Sequence, residues 1–129
     1  WKLPRLDALF LSHNRLRGGL EPLRGFTALK QVDISNNYLT GELEPLRCCT
    51  TLQQLNLFEN YLTGSLEPLR SCTGLKWLDI SNNKLNSGGL EPLRGFTELT
   101  WLDLSNNQLT GSLEPLRSCT NLQELYLLS

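Results

Sequence analysis

Apolar side chains recur along this chain as a short alternating burst followed by a looser return, and the whole unit then repeats. One unit places Leu29, Val32 and Ile34 in its burst, and another Leu75, Leu78 and Ile80, with polar residues between them. Alternation with a period of two predicts a short strand whose apolar side turns inward. The leading leucines are Leu6, Leu29, Leu52, Leu75, Leu99 and Leu122, so the steps are 23, 23, 23, 24 and 23 residues. A fixed period of that size predicts stacked coils rather than a globular core. Every unit runs the same way, so the strands should form one parallel sheet with neighbours roughly 4.8 Å apart.

Each strand is followed by an asparagine: Asn14, Asn37, Asn60, Asn83 and Asn107. A buried bend cannot leave its N–H and C=O groups unpaired, so these amides should point inward and bond the turn as a structural ladder. Leu16, Leu39, Leu62, Leu85 and Leu109 come next, then a glycine-containing bend. The fourth unit must absorb its extra residue within Asn86-Ser87-Gly88-Gly89. The return carries Leu-Glu-Pro-Leu-Arg in all five full units. Proline is tolerated at the first position of a helical turn, so Pro22, Pro45, Pro68, Pro92 and Pro115 should each open a short 3₁₀ or one-turn helix on the outer side. Glu21 and Arg24, and their equivalents, should form surface ion pairs worth well under about 1 kcal/mol each. The threonine column Thr27, Thr50, Thr73, Thr97 and Thr120 is expected to bond the backbone where the return re-enters the sheet.

The recurring Leu-x-x-Leu-x-Leu-x-x-Asn-x-Leu resembles the leucine-rich repeat over nearly the whole chain. That resemblance implies an α/β solenoid, with a curved parallel sheet on the concave face and short 3₁₀ turns and loops on the convex face. Residues 1–129 then read as a single domain of five full repeats, starting at Leu6, Leu29, Leu52, Leu75 and Leu99, plus a partial sixth from Leu122. Leu62-Thr63-Gly64-Ser65-Leu66 is similar to the plant-type repeat of receptor kinases, although Leu-Glu-Pro follows it and the period is mostly 23 residues. The resemblance implies a receptor-ectodomain or immune-recognition setting outside the cell. An intracellular scaffold is the alternative, suggested by unpaired cysteines and no Asn-x-Ser/Thr sequon. Repeat-like sequence at both ends, closing on Leu125, Leu127 and Leu128, predicts a fragment of a longer array or termini that associate end to end.

A net charge of −1 gives no electrostatic reason to expect nucleic acid or an anionic membrane. No apolar run approaches the 18 or so residues that would span a bilayer. Cys49, Cys72 and Cys119 share a column with Phe26 and Phe96, so they read as buried thiols rather than a disulfide or metal set. His13 is the single histidine, no glycine-rich phosphate loop occurs, and the expectation is a chain without enzyme activity, cofactor or metal.

The strand positions between the inward leucines hold the candidate chemistry. One column reads Ala8, Gln31, Gln54, Trp77, Trp101 and Glu124, and the next Phe10, Asp33, Asn56, Asp79, Asp103 and Tyr126. A third reads Ser12, Ser35, Phe58, Ser81, Ser105 and Leu128. All three are expected to face out of the concave side, with the carboxylates solvated. Two adjacent tryptophans on an open sheet mark a contact surface. Asp33, Asp79 and Asp103 beside them would suit a basic protein or peptide ligand. The predicted site is therefore Trp77, Trp101, Asp79, Asp103 and Asp33, with Phe58, Tyr126 and Phe10 alongside. A second class is a surface-lattice protein that binds something periodic such as ice, through Thr40, Thr63 and Thr110, though Arg17 and Asn86 interrupt that row.

Overall fold

A computed structural model describes residues 5–128, so the repeat-like start at residues 1–4 lies outside the described residues. In chain order the strands are β1 (Ala8–Phe10), β2 (Arg17–Gly18), β3 (Gln31–Asp33), β4 (Tyr38–Gly41) and β5 (Gln54–Asn56). They continue as β6 (Tyr61–Leu62), β7 (Trp77–Asp79), β8 (Trp101–Asp103) and β9 (Glu124–Tyr126). The order β1-β3-β5-β7-β8-β9 makes one parallel sheet, in which Ala8, Gln31, Gln54, Trp77, Trp101 and Glu124 lie side by side. The sequence repeat and the sheet register therefore coincide. Opposite the sheet, 3₁₀ turns form at Glu21–Leu23, Glu44–Leu46, Glu67–Leu69, Glu91–Leu93 and Glu114–Ser118, each with proline in its first turn. Glutamate and arginine three residues apart pair across each turn, as at Arg47–Glu44 (2.8 Å) and Arg70–Glu67 (2.8 Å), all solvent-exposed.

The core is the layer of leucines between sheet and turns. Leu52, Leu55, Leu57, Leu62, Leu66, Leu69, Leu75 and Leu78 in the middle coils are fully buried, whereas Leu16, Leu113 and Leu128 towards the ends are exposed. A coil is too thin to shield its own leucines, and its neighbours do so. Cys49, Cys72 and Cys119 are buried in the Phe96 column, and Cys48 is exposed. The Cys72 thiol donates to the Cys49 carbonyl at 3.4 Å, and burial pushes its pKa up to about 11. Such thiols are poor nucleophiles.

The asparagine column stitches one coil to the one before it. Asn83 donates to the carbonyls of Leu57 (2.9 Å), Ile80 (3.2 Å) and Ser81 (3.2 Å), while its Oδ1 accepts the Leu62 N–H (3.0 Å). Asn37, Asn60 and Asn107 repeat this arrangement, and among the described residues Asn14 bonds only within its own coil, to Leu11 and Ser12. The residue before each ladder asparagine adopts a left-handed backbone: His13, Asn36, Glu59, Asn82 and Asn106, with φ between 55° and 57°. Asparagine visits that region readily and glutamate does not. Glu59→Asn is therefore expected to stabilise the fold by about 0.5–1 kcal/mol, read as a higher urea midpoint at unchanged slope.

Two expectations are corrected. Among the described residues the threonine column does not bond the re-entering backbone: Thr27, Thr50, Thr73, Thr97 and Thr120 are exposed, and at this end of the strands the hydroxyls that reach the neighbouring coil belong to Thr51 and Thr100. The glycine bends are more than bends. They carry a second parallel sheet, β2-β4-β6, on the flank of the coils. It stops where the fourth coil has its extra residue. There the N–H groups of both Asn86 and Ser87 point at the single Gly64 carbonyl, at 3.0 and 3.2 Å. Two residues opposite one is the geometry of a bulge, which ends regular pairing.

Candidate functional site

Because the register repeats coil by coil, Trp77 and Trp101 become cross-strand neighbours. Their rings stack at 4.4 Å between centroids and 9° between planes, and Tyr126 tilts against Trp101 at 5.6 Å. The three rings form a shelf across the last three strands, with both indoles half-buried and Tyr126 exposed. Phe10 is 63% exposed at the opposite end of the sheet, and Phe58 is half-buried beyond the strand end. Between Phe10 and the shelf lies a groove of about 200 Å³, lined by Phe10, Gln31, Asp33, Gln54, Asn56 and the near side of Trp77.

The acidic row is built differently from the expectation. Asp33, Asp79 and Asp103 each turn Oδ1 onto the N–H two residues ahead, at Ser35 (3.0 Å), Ser81 (2.8 Å) and Ser105 (2.9 Å). Asn56 makes the same bond to Phe58 (3.0 Å). These bonds close the strand end, as short Asx side chains do in turns. Asp79 is buried, not solvated, and Ser35, Ser81 and Ser105 are buried rather than facing out. Burial raises the Asp79 pKa, hydrogen bonds from Ser81 oppose that, and the charges of Asp103 and Asp33 add to it. With the folded pKa above the unfolded one, the native state holds its proton more tightly, so this group's contribution to stability falls as pH rises through that window. Asp79→Asn keeps the turn bond, as Asn56 shows. The variant should therefore be more stable than the parent at pH 7, with the gap closing as pH falls towards the ordinary aspartate value of 3.8, measured by thermal melts across pH.

A second surface went unread in the sequence. Tyr38 and Tyr61 directly follow ladder asparagines in consecutive coils, and that repetition was the available signal. Their rings stack at 6.3 Å, with Arg17 over the outer face of Tyr38 (5.1 Å) and Lys84 over Tyr61 (5.6 Å). They border a polar flank groove of about 410 Å³ with Asn36, Glu59 and Asn82. Both rings remain exposed, so the groove presents aromatic and amide groups together. Among the described residues no three His, Cys, Asp or Glu side chains converge as a metal requires, and no helix is long and apolar enough to cross a membrane.

Family models agree with this geometry. One described as "Leucine Rich repeats (2 copies)" matches residues 4–48 and 97–129, and one described as "Leucine Rich Repeat" matches residues 74–96. The chain belongs to the leucine-rich repeat family. No curated protein matches it in sequence. Among solved structures, this leucine-rich repeat chain is similar to the ectodomain of the Arabidopsis receptor kinase HAESA, in a complex with an extended IDA peptide hormone ligand. That match has a TM-score of 0.86 and 32% identity, over 96% of this chain and 22% of that one. It is also similar to the ectodomain of the receptor kinase SOBIR1 from Arabidopsis thaliana (TM-score 0.81, 29% identity, 89% of this chain and 65% of that one). An internalin, inlF of Listeria monocytogenes, superposes with a TM-score of 0.80 at 27% identity, over 95% of this chain and 35% of that one. The chain thus spans less than two thirds of each of these proteins.

Proposed function

We propose that this leucine-rich repeat chain is a non-enzymatic binding module that presents its concave sheet to a protein or peptide, in the manner of an extracellular receptor domain. The observation that carries this reading is the Trp77–Trp101–Tyr126 shelf. It lies on the side of the sheet away from the leucine core, where internal packing gives no need for three aromatic rings. The likeness to the HAESA ectodomain, solved with a peptide hormone, supports a peptide as the occupant and the outside of the cell as the setting.

Peptides selected from a displayed random library on the immobilised chain test the site. Those recovered should bind a Trp77→Ala/Trp101→Ala double variant at least about tenfold more weakly, as hot-spot aromatic groups do. Equal binding to the double variant would place the contact surface elsewhere.

A further inference from the structure

The concave face is divided into two chemically distinct halves. The aromatic shelf occupies β7 to β9, and the groove described above occupies β1 to β7. Trp101 stacks on the Trp77 indole from the β8 side, and Trp77 borders the groove on its β5 side, where Gln54 is its cross-strand neighbour. Of the groove's lining, Asp33 alone carries a charge. Its Oδ1 accepts both the N–H and the hydroxyl of Ser35, and neither bond uses Oδ2. The lysines of this side, Lys30 and Lys76, line a separate groove with Thr50 and Thr73. The hollow between Phe10 and Trp77 is therefore negative, bounded at one end by the indole of Trp77 and lined between by the amides of Gln31, Gln54 and Asn56.

From this we infer that the groove is a subsite for an arginine side chain of the ligand, with the guanidinium lying against the indole of Trp77 and facing Asp33. The inference rests on the concave-face reading and deepens it. An indole attracts cations, and a planar guanidinium stacks on it while its five donors remain free in the plane. An ammonium offers no plane to stack, and a carboxylate would meet the Asp33 charge with no cation to offset it. Two strand spacings of roughly 4.8 Å separate Asp33 on β3 from Trp77 on β7. A cation resting on the indole thus lies over Gln54 and Asn56 on β5, with the carboxylate one strand further on.

The chain itself supplies the controls. Asn56 already makes the turn bond that Asp33 makes, so Asp33→Asn removes charge and leaves the strand end closed. Asn56→Asp does the reverse and puts a carboxylate under the bound cation. The test titrates the purified chain with the capped pentapeptide Gly-Ala-Arg-Ala-Gly, and with citrulline and lysine versions, following tryptophan fluorescence and calorimetric heat. The arginine peptide should bind saturably, and the citrulline and lysine peptides at least tenfold more weakly. Asp33→Asn should weaken the arginine peptide about three- to tenfold, the range for a charge some 6 Å away in a solvated groove, and Asn56→Asp should tighten it. No saturable binding of the arginine peptide, or equal binding of the citrulline peptide, overturns the inference. It also fails if both substitutions leave affinity unchanged. Library-selected peptides that are lost on Trp77→Ala/Trp101→Ala yet indifferent to Asp33→Asn and Asn56→Asp would refute the arginine subsite while leaving the concave surface as the binding site.

Discussion

Asn83→Ala is expected to lower the unfolding free energy by about 3–5 kcal/mol, since it strands several buried groups at roughly 1–3 kcal/mol each. The carbonyls of Leu57, Ile80 and Ser81 lose their donor, and the Leu62 N–H loses its acceptor. Asn83 sits in the middle of the array, where the bend it fills is flanked by the fully buried Leu57, Leu62 and Ile80. Water cannot replace the amide there without opening the junction between two coils. Asn14→Ala is the matched control. That residue is exposed and among the described residues bonds only within its own coil, so its loss should cost about 1 kcal/mol or less. Urea unfolding followed by far-ultraviolet circular dichroism measures both. A loss below 1 kcal/mol for Asn83→Ala would mean that the ladder is not what holds the bends.

Gly89→Ala is expected to cost about 1–3 kcal/mol, the range for forcing extra volume into a packed site. A Cβ at Gly89 would overlap the Thr110 carbonyl oxygen and stand 3.4 Å from its carbon and 3.7 Å from the Gly111 Cα. All three are backbone atoms of the next coil, and the Thr110 N–H is held by the Gly88 carbonyl at 2.9 Å. The neighbour cannot step aside without breaking that bond. Gly74→Ala serves as the comparison, because its Cβ would meet only the Leu52 carbonyl oxygen at an ordinary 3.7 Å. It should stay within about 0.5 kcal/mol of the parent. Similar melting temperatures for the two variants would contradict the close approach at the fourth coil.

What could be read in advance divides by the range of the interaction. The strand register, the proline-led turns and the inward asparagines follow from local spacing, because one residue's role is copied in every coil. The second sheet did not announce itself. Its strands are only two to four residues long, and two of the three end on glycine, so they lack the alternation that marks a strand. Asp79 was misread for a related reason: alternation puts it on the outer face, but its carboxylate folds back to close the strand end under Ser81. The pairing of Trp77 with Trp101 was legible as a column. The groove beside them was not, because it is bounded by residues from four different coils, from Phe10 to Trp77, that no local spacing brings together.

The ladder also gives the molecule a direction. From Asn37 onward each ladder asparagine reaches back to the coil before it, through carbonyls such as Leu57 and N–H groups such as Leu62, so a bend is fastened by its own asparagine and by its successor's. The bend of the fifth coil lacks the second of these among the described residues, and Leu113 beside it is 58% exposed. The loss of one ladder asparagine therefore strikes two bends at once, its own and the one before it, and leaves the bend after it with its own asparagine.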